Sequence, residues 1–164
     1  MIDLNKKKVH EILWGIQAND SNRFSVFLEH EAAFTDKEYW YALSIAYTDS
    51  DNLYKLRDVV KSCFNSQRPH KEYLMTPYER MKVASLPDKV TVYRGMSIEE
   101  MKSGKYGLSW TLSKKVAQFF AEIYRRNVDT RNHEKVVHTK LVDKKSIVCY
   151  FSDRKERELI CCIP

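Results

Sequence analysis

The sequence predicts an α+β fold with its helices first and its strands afterwards. Apolar residues recur at helical spacing up to residue 86 and alternate like strands beyond the Leu86-Pro87-Asp88 break. A 43% apolar fraction with 7 Phe, 10 Tyr and 3 Trp is enough for a packed core, and 4 Gly and 4 Pro are too few for a linker-rich chain. At 164 residues the chain reads as one domain, or one domain with an extension. The expected division is a helical segment over 1–86 and a strand-rich core over 87–164.

The helices are marked by their apolar faces and caps. Ile2, Val9, Ile12, Leu13 and Ile16 share one face of a first helix. Ser21 is the expected cap of a second helix through Phe24, Phe27 and Leu28. Thr35 and Glu38 form a capping box that opens a third through Tyr39, Trp40, Leu43 and Tyr47. A fourth carries Leu53, Leu56, Val60 and Phe64 on one face. Thr76-Pro77-Tyr78-Glu79 opens a fifth, with Pro where its missing N–H costs nothing. Nothing in residues 1–70 has a catalytic pattern, and its aromatic stripes read as core.

Strands are expected at Val90–Arg94, Leu108–Leu112, Val136–Val142, Ile147–Phe151 and Glu158–Ile163. A short helix between them is capped by Ser97 with Glu100 and stopped by Gly104. A longer one starts at Ser113, with Val116, Phe119, Phe120 and Ile123 as its apolar face. Residues 129–134 read as a polar loop.

Charge is uneven. Residues 1–86 hold 12 Lys/Arg against 12 Asp/Glu, whereas residues 87–164 hold 16 against 10, so the net +6 lies wholly in the second part. Such a surface suits a phosphate-rich ligand, a nucleic acid or an acidic protein, or it serves solubility alone. No apolar run follows the charged Met1–Lys8 stretch and none is long enough to span a membrane. No signal peptide and a cytoplasmic location are therefore expected. Cys63, Cys149, Cys161 and Cys162 lack metal-type spacing and read as free thiols, and the five histidines are scattered, so no metal site is expected.

Three short stretches carry residues suited to chemistry. Arg94 follows a strand pattern and precedes Gly95. Its planar guanidinium suits a phosphate or carboxylate in a forked contact, and Gly95 permits close backbone approach. A purely structural pairing to Asp or Glu is the alternative. Ser109, Thr111 and Ser113 alternate along the second stretch, which places their hydroxyls on one strand face, with Leu108, Trp110 and Leu112 opposite. A solvent-facing edge would look the same. In the third stretch, Glu156 and Glu158 are expected to share a strand face, with Arg157 opposite. Adjacent carboxylates repel, so a nearby cation or solvation is required. The apolar run Leu159–Ile163 puts Glu158 at the entrance to a buried strand and Glu156 at its solvent lip.

In order, these stretches give Arg-Gly, Ser-x-Thr-x-Ser and Glu-x-Glu. That set resembles the arginine–serine–glutamate class of mono-ADP-ribosyltransferases, NAD-using enzymes of many bacterial toxins and phages. The resemblance covers residues 87–164; residues 1–86 match no part of it. The middle of the serine motif is Trp110 where many members have Thr, and its third position is Thr111 rather than Ser. His138 also faintly suggests the family's His-Tyr-Glu class, but it comes too late in the chain, and Arg94-Gly95 fills the first-strand position.

The resemblance implies a split β-sandwich ADP-ribosyltransferase core with the helical segment packed on it, and NAD as co-substrate without a metal. By the same resemblance Arg94 holds the phosphates or the nicotinamide-side ribose, and Gly95 binds the nicotinamide amide through its backbone. Ser109, with Thr111 on the same strand, belongs to the NAD-binding set, and Ser109 orients Glu158. Glu158 grips the ribose 2′-hydroxyl and stabilises an oxocarbenium-like transition state. Glu156 polarises the acceptor, and Phe119 or Phe120 packs on nicotinamide. Ser152–Lys155 reads the target, a host protein or a nucleic acid. Glu at the outer position is associated with Arg acceptors. Nicotinamide leaves as a neutral molecule, so no acid need protonate it, unlike an ordinary glycoside oxygen. Two rival expectations stand beside the transferase: a NAD glycohydrolase, and a small basic nucleic-acid-binding or inhibitor protein without catalysis. The second draws on the +6 segment with its interleaved aromatics.

Overall fold

A computed structural model describes residues 3–51, 53–127, 134–153 and 156–163. The expected polar loop over 129–134 lies outside these residues but for Glu134. So do Ile2 and two members of the target-reading stretch, Arg154 and Lys155. The chain forms two compact units, Met1–Thr76 and Pro77–Pro164. The helix ahead of Pro87 therefore belongs to the second unit, not to a helical segment ending at residue 86.

The first unit holds α1 (Lys6–Leu13), α2 (Arg23–Glu29), α3 (Asp36–Thr48) and α4 (Arg57–Phe64). Its core is built from Val9, Leu13, Phe24, Phe27, Tyr39, Trp40, Leu43 and Phe64, all 1% exposed or less. The Thr35–Glu38 capping box forms in both directions. The cap of α2 is Asn22, one residue beyond the expected Ser21. Two buried charges are paired. Glu38 takes the Lys8 ammonium at 2.7 Å. Arg23 donates to the Leu13 carbonyl at 2.9 Å, to Asp20 at 2.8 Å and to the Asp49 carbonyl. Such partners are what a buried ion requires.

The second unit holds α5 (Pro77–Ala84), β1 (Lys89–Ser97), α6 (Ile98–Ser103), β2 (Ser109–Thr111), α7 (Lys114–Asn127), β3 (Lys135–Asp143), β4 (Ile147–Phe151) and β5 (Glu158–Cys161). The strands form one antiparallel sheet in the order β3-β1-β2-β5-β4. Helix and strand are thus combined as an α+β fold. Val90, Val92, Met96, Trp110, Val142, Tyr150 and Leu159 form the core on one face, with Val83 of α5 and Met101 of α6 packed against them. On the other face α7 lies over Gly95 of β1, as a Cβ there would sit 2.5 Å from the Ala117 carbonyl oxygen and 2.8 Å from the Ala121 nitrogen. This corrects the expected apolar face of α7 at Phe119; Val116 and Phe120 are half-buried, and the Ile123 side chain lies outside those described. Small Ala117 and Ala121 meet the sheet because the helix backbone comes so near, and Phe119 is left 57% exposed. No helix among the described residues is long and apolar enough to cross a membrane.

Candidate functional site

The three motif-bearing strands are neighbours in the sheet, with β2 between β1 and β5. Tyr93 of β1 pairs with Thr111 of β2, and Thr111 pairs with Glu158 of β5. Directly paired residues share a sheet face, and so does a residue two places along. Ser109, Thr111 and Glu158 therefore lie together on the α7 face. The Ser109 hydroxyl donates to Glu158 Oε1 at 2.6 Å. That is a short O–H···O hydrogen bond.

Arg94 alternates with Val92 and Met96 and so starts from the opposite, core face. β1 does not stop at Arg94, as the sequence suggested, but runs on to Ser97, paired with β3 along its whole length. Against β2 it has a single bridge, Tyr93 with Thr111. The Arg94 guanidinium occupies the place where that ladder ceases. Its Nη1 donates to the Ser109 carbonyl at 2.8 Å and its Nε to Glu100 Oε1 at 2.9 Å. Ser109 thus joins the two charged residues, its carbonyl to Arg94 and its hydroxyl to Glu158.

Glu100 is the residue that the sequence motifs missed. Ser97 caps α6 by accepting from the Glu100 N–H at 3.1 Å. The Glu100 carboxylate, which a reciprocal capping box would return to Ser97, goes instead to Arg94 and to the Gly107 N–H at 2.8 Å. Its position six residues after Arg94 was the available signal, hidden by the local explanation. Gly107 has its own reason to be glycine: a Cβ there would meet Arg94 Nη2 at 2.3 Å.

The approach to Glu158 corrects another expectation. β5 begins at Glu158, and Arg157 has a positive φ of 49°. A left-handed residue turns the chain, so Glu156 and Glu158 do not alternate as members of one regular strand. The turn is held by β2 and the residue after it: the buried Thr111 hydroxyl donates to the Glu156 carbonyl at 2.8 Å and the Leu112 N–H to the Arg157 carbonyl at 3.3 Å. Before this turn, Ser152 donates from its N–H at 2.8 Å and its hydroxyl at 2.9 Å to Glu79 of α5. The chain is therefore fixed on both sides of the segment leading to Glu156.

Gly95 adjoins Arg94, and the space a side chain would take there is filled by α7. Phe120 is half-buried, next to Val116 around the helix, with its ring 5.9 Å from that of the exposed Phe119. His138 pairs with Arg94 across β1 and β3 and packs against the Tyr106 and Trp110 rings, which also touch each other. A cavity of about 180 Å³ lined by Gln118, Ala121, Glu122, Lys135 and Val137 contains none of the motif residues, and it is smaller than ordinary ligand pockets. Comparison of the chain with protein-family models, curated proteins and solved structures found no match.

Proposed function

We propose that this chain is a NAD-dependent mono-ADP-ribosyltransferase, with Arg94, Ser109, Glu156 and Glu158 as its working residues. The observation that carries the reading is the 2.6 Å bond from the Ser109 hydroxyl to Glu158, on a serine whose carbonyl is also held by Arg94. The Ser109–Glu158 bond supports the reading because the resemblance has Ser109 orienting Glu158, while Arg94 meets the same serine from the other face.

NAD supplies a ribose whose nicotinamide departs from a cationic ring as a neutral molecule. What the protein must add is charge stabilisation and placement. Glu158, with one oxygen fixed by Ser109, presents negative charge to the anomeric carbon as positive charge develops there. Arg94 offers the donors left over from Glu100 and Ser109 to the phosphates. Glu156 lies at the held turn before β5, where it polarises the incoming acceptor. The acceptor is a protein side chain, Arg being favoured by the outer Glu, or a nucleic acid.

The test is to incubate purified protein with adenine-labelled NAD and a cell lysate, following free nicotinamide and bound label. Release with label on a macromolecule, both lost in Glu158→Gln without a change in melting temperature, is the expected result. Full activity in Glu158→Gln would remove Glu158 from the site. Release without label would make the enzyme a glycohydrolase. A folded protein that releases nothing would favour the basic binding protein without catalysis.

A further inference from the structure

We propose that Glu100 is a positioning residue that selects which edge of the Arg94 guanidinium meets the phosphates of the ligand. This inference rests on the transferase reading for the identity of that ligand. A guanidinium offers two forked edges, one formed by Nε and Nη2 and the other by Nη1 and Nη2. Glu100 Oε1 takes Nε at 2.9 Å and so closes the first fork to an anion. The Ser109 carbonyl takes one N–H of Nη1 at 2.8 Å. No described residue accepts from Nη2, which lies beside Gly107. The N–H groups of Nη1 and Nη2 that neither Glu100 nor Ser109 engages are therefore the donors left for a phosphate.

The carboxylate is built to hold this orientation. Its backbone is fixed by the Ser97 cap, and α6 ends at Gly104, which has a φ of 67°. The same Oε1 binds the Gly107 N–H, so one oxygen ties Arg94 to the loop that packs against the guanidinium. The Arg94 and Glu100 side chains are 23% and 25% exposed. The pair is only partly open to solvent, and the shared oxygen gives the guanidinium a direction.

Three variants test this, each measured for KM and kcat of nicotinamide release and for ADP-ribose binding by calorimetry, with melting curves as the folding control. Glu100→Ala frees Nε, and KM and the ADP-ribose Kd are expected to rise about tenfold with kcat within about twofold, as for loss of one charge-assisted hydrogen bond. Glu100→Gln keeps an acceptor for Nε and for Gly107, and should restore binding to within about threefold of the parent. Gly107→Ala places a Cβ 2.3 Å from Nη2 and should reproduce the Glu100→Ala defect with the carboxylate intact. It also serves if Glu100→Ala does not fold.

Parent-like binding in both Glu100→Ala and Gly107→Ala would overturn the proposal. Equal tightening in Glu100→Ala and Glu100→Gln would also overturn it, because Glu100 would then merely neutralise Arg94. Nicotinamide release with unaffected variants sinks the inference and leaves the transferase reading. ADP-ribose binding weakened in Glu100→Ala, without nicotinamide release by the parent, sinks the transferase reading and leaves the inference. A parent that neither binds ADP-ribose nor releases nicotinamide refutes both.

Discussion

Gly95→Ala isolates the packing of α7 on β1. The added Cβ would lie 2.5 Å from the Ala117 carbonyl oxygen, 2.8 Å from the Ala121 nitrogen and 3.2 Å from the Ala121 Cα. All three are backbone atoms, so no side-chain rotation relieves the contact. Restoring ordinary contact requires α7 to lift by roughly 1 Å, at the cost of its packing over β1 and β3. Overpacking of this kind costs about 1–3 kcal/mol. In a chain of this size that lowers the melting temperature by roughly 3–10 °C. Because the chain forms two units, hydrogen exchange of the β1 and β3 amides in urea is the proper assay. Gly104→Ala is the comparison. Its Cβ would have nothing within 4 Å, but its φ is 67°, so its cost is that of left-handed backbone, about 1–2 kcal/mol. Asn tolerates that conformation, so Gly104→Asn should recover part of the loss, whereas Gly95→Asn should be worse than Gly95→Ala. A Gly95→Ala protein within about 0.5 kcal/mol of the parent would refute the reasoning.

Three further outcomes follow from single contacts. Ser109→Ala removes the 2.6 Å bond to Glu158 but keeps the backbone carbonyl that Arg94 holds, so kcat for nicotinamide release should fall by about 10–100-fold with KM little changed; an equal rise in KM would count against it. For Glu38, burial raises the carboxyl pKa, but the Lys8 and Thr35 hydrogen bonds and the Lys8 charge outweigh this and leave it below 4.5. A depressed folded pKa means stability present above the ordinary value and lost as pH falls through the folded one, so the urea midpoint should drop in acid and Glu38→Gln should flatten that drop. Burial first, then the neighbouring Cys162, pushes the Cys161 thiol up to about 12, and Cys63 and Cys149 are buried too. Alkylation of the native protein at pH 8 should therefore label half-buried Cys162 first and the other three only after unfolding, as mass spectrometry would show.

The elements most legible in the sequence were those specified by neighbours along the chain. The Ile147–Phe151 strand has the expected bounds, and Thr35, Ser97 and Ser113 each accept the hydrogen bond expected of a cap. What stayed hidden depended on distant groups. Glu100 reads locally as a capping partner, and only the nearness of Arg94 and Gly107 redirects its carboxylate. Arg157 takes a left-handed φ with no Gly or Asn to announce it, because Thr111 and Leu112 hold the turn. Phe119 fits a helical apolar stripe, yet the close approach at Gly95 gives the sheet contact to Ala117 and Ala121.

The backbone explains why Arg94 stands where it does. The Leu108 carbonyl accepts from Cys161 of β5, so the next carbonyl, that of Ser109, faces the β1 side. If the Tyr93–Thr111 register continued, Gly95 would lie opposite Ser109, but the ladder has already stopped. A half-buried carbonyl left there without a donor would be costly. The Arg94 guanidinium supplies the donor from a side chain in place of a backbone N–H. The opening between β1 and β2 is thus closed by a group with N–H donors to spare, while Glu158 approaches the same serine from the other face. A Lys at 94 could reach the Ser109 carbonyl but could not at once hold Glu100 and present a planar fork. Arg94→Lys should therefore preserve the fold and still weaken ADP-ribose binding; equal binding by the two proteins would make Arg94 a structural residue and remove the anion from this site.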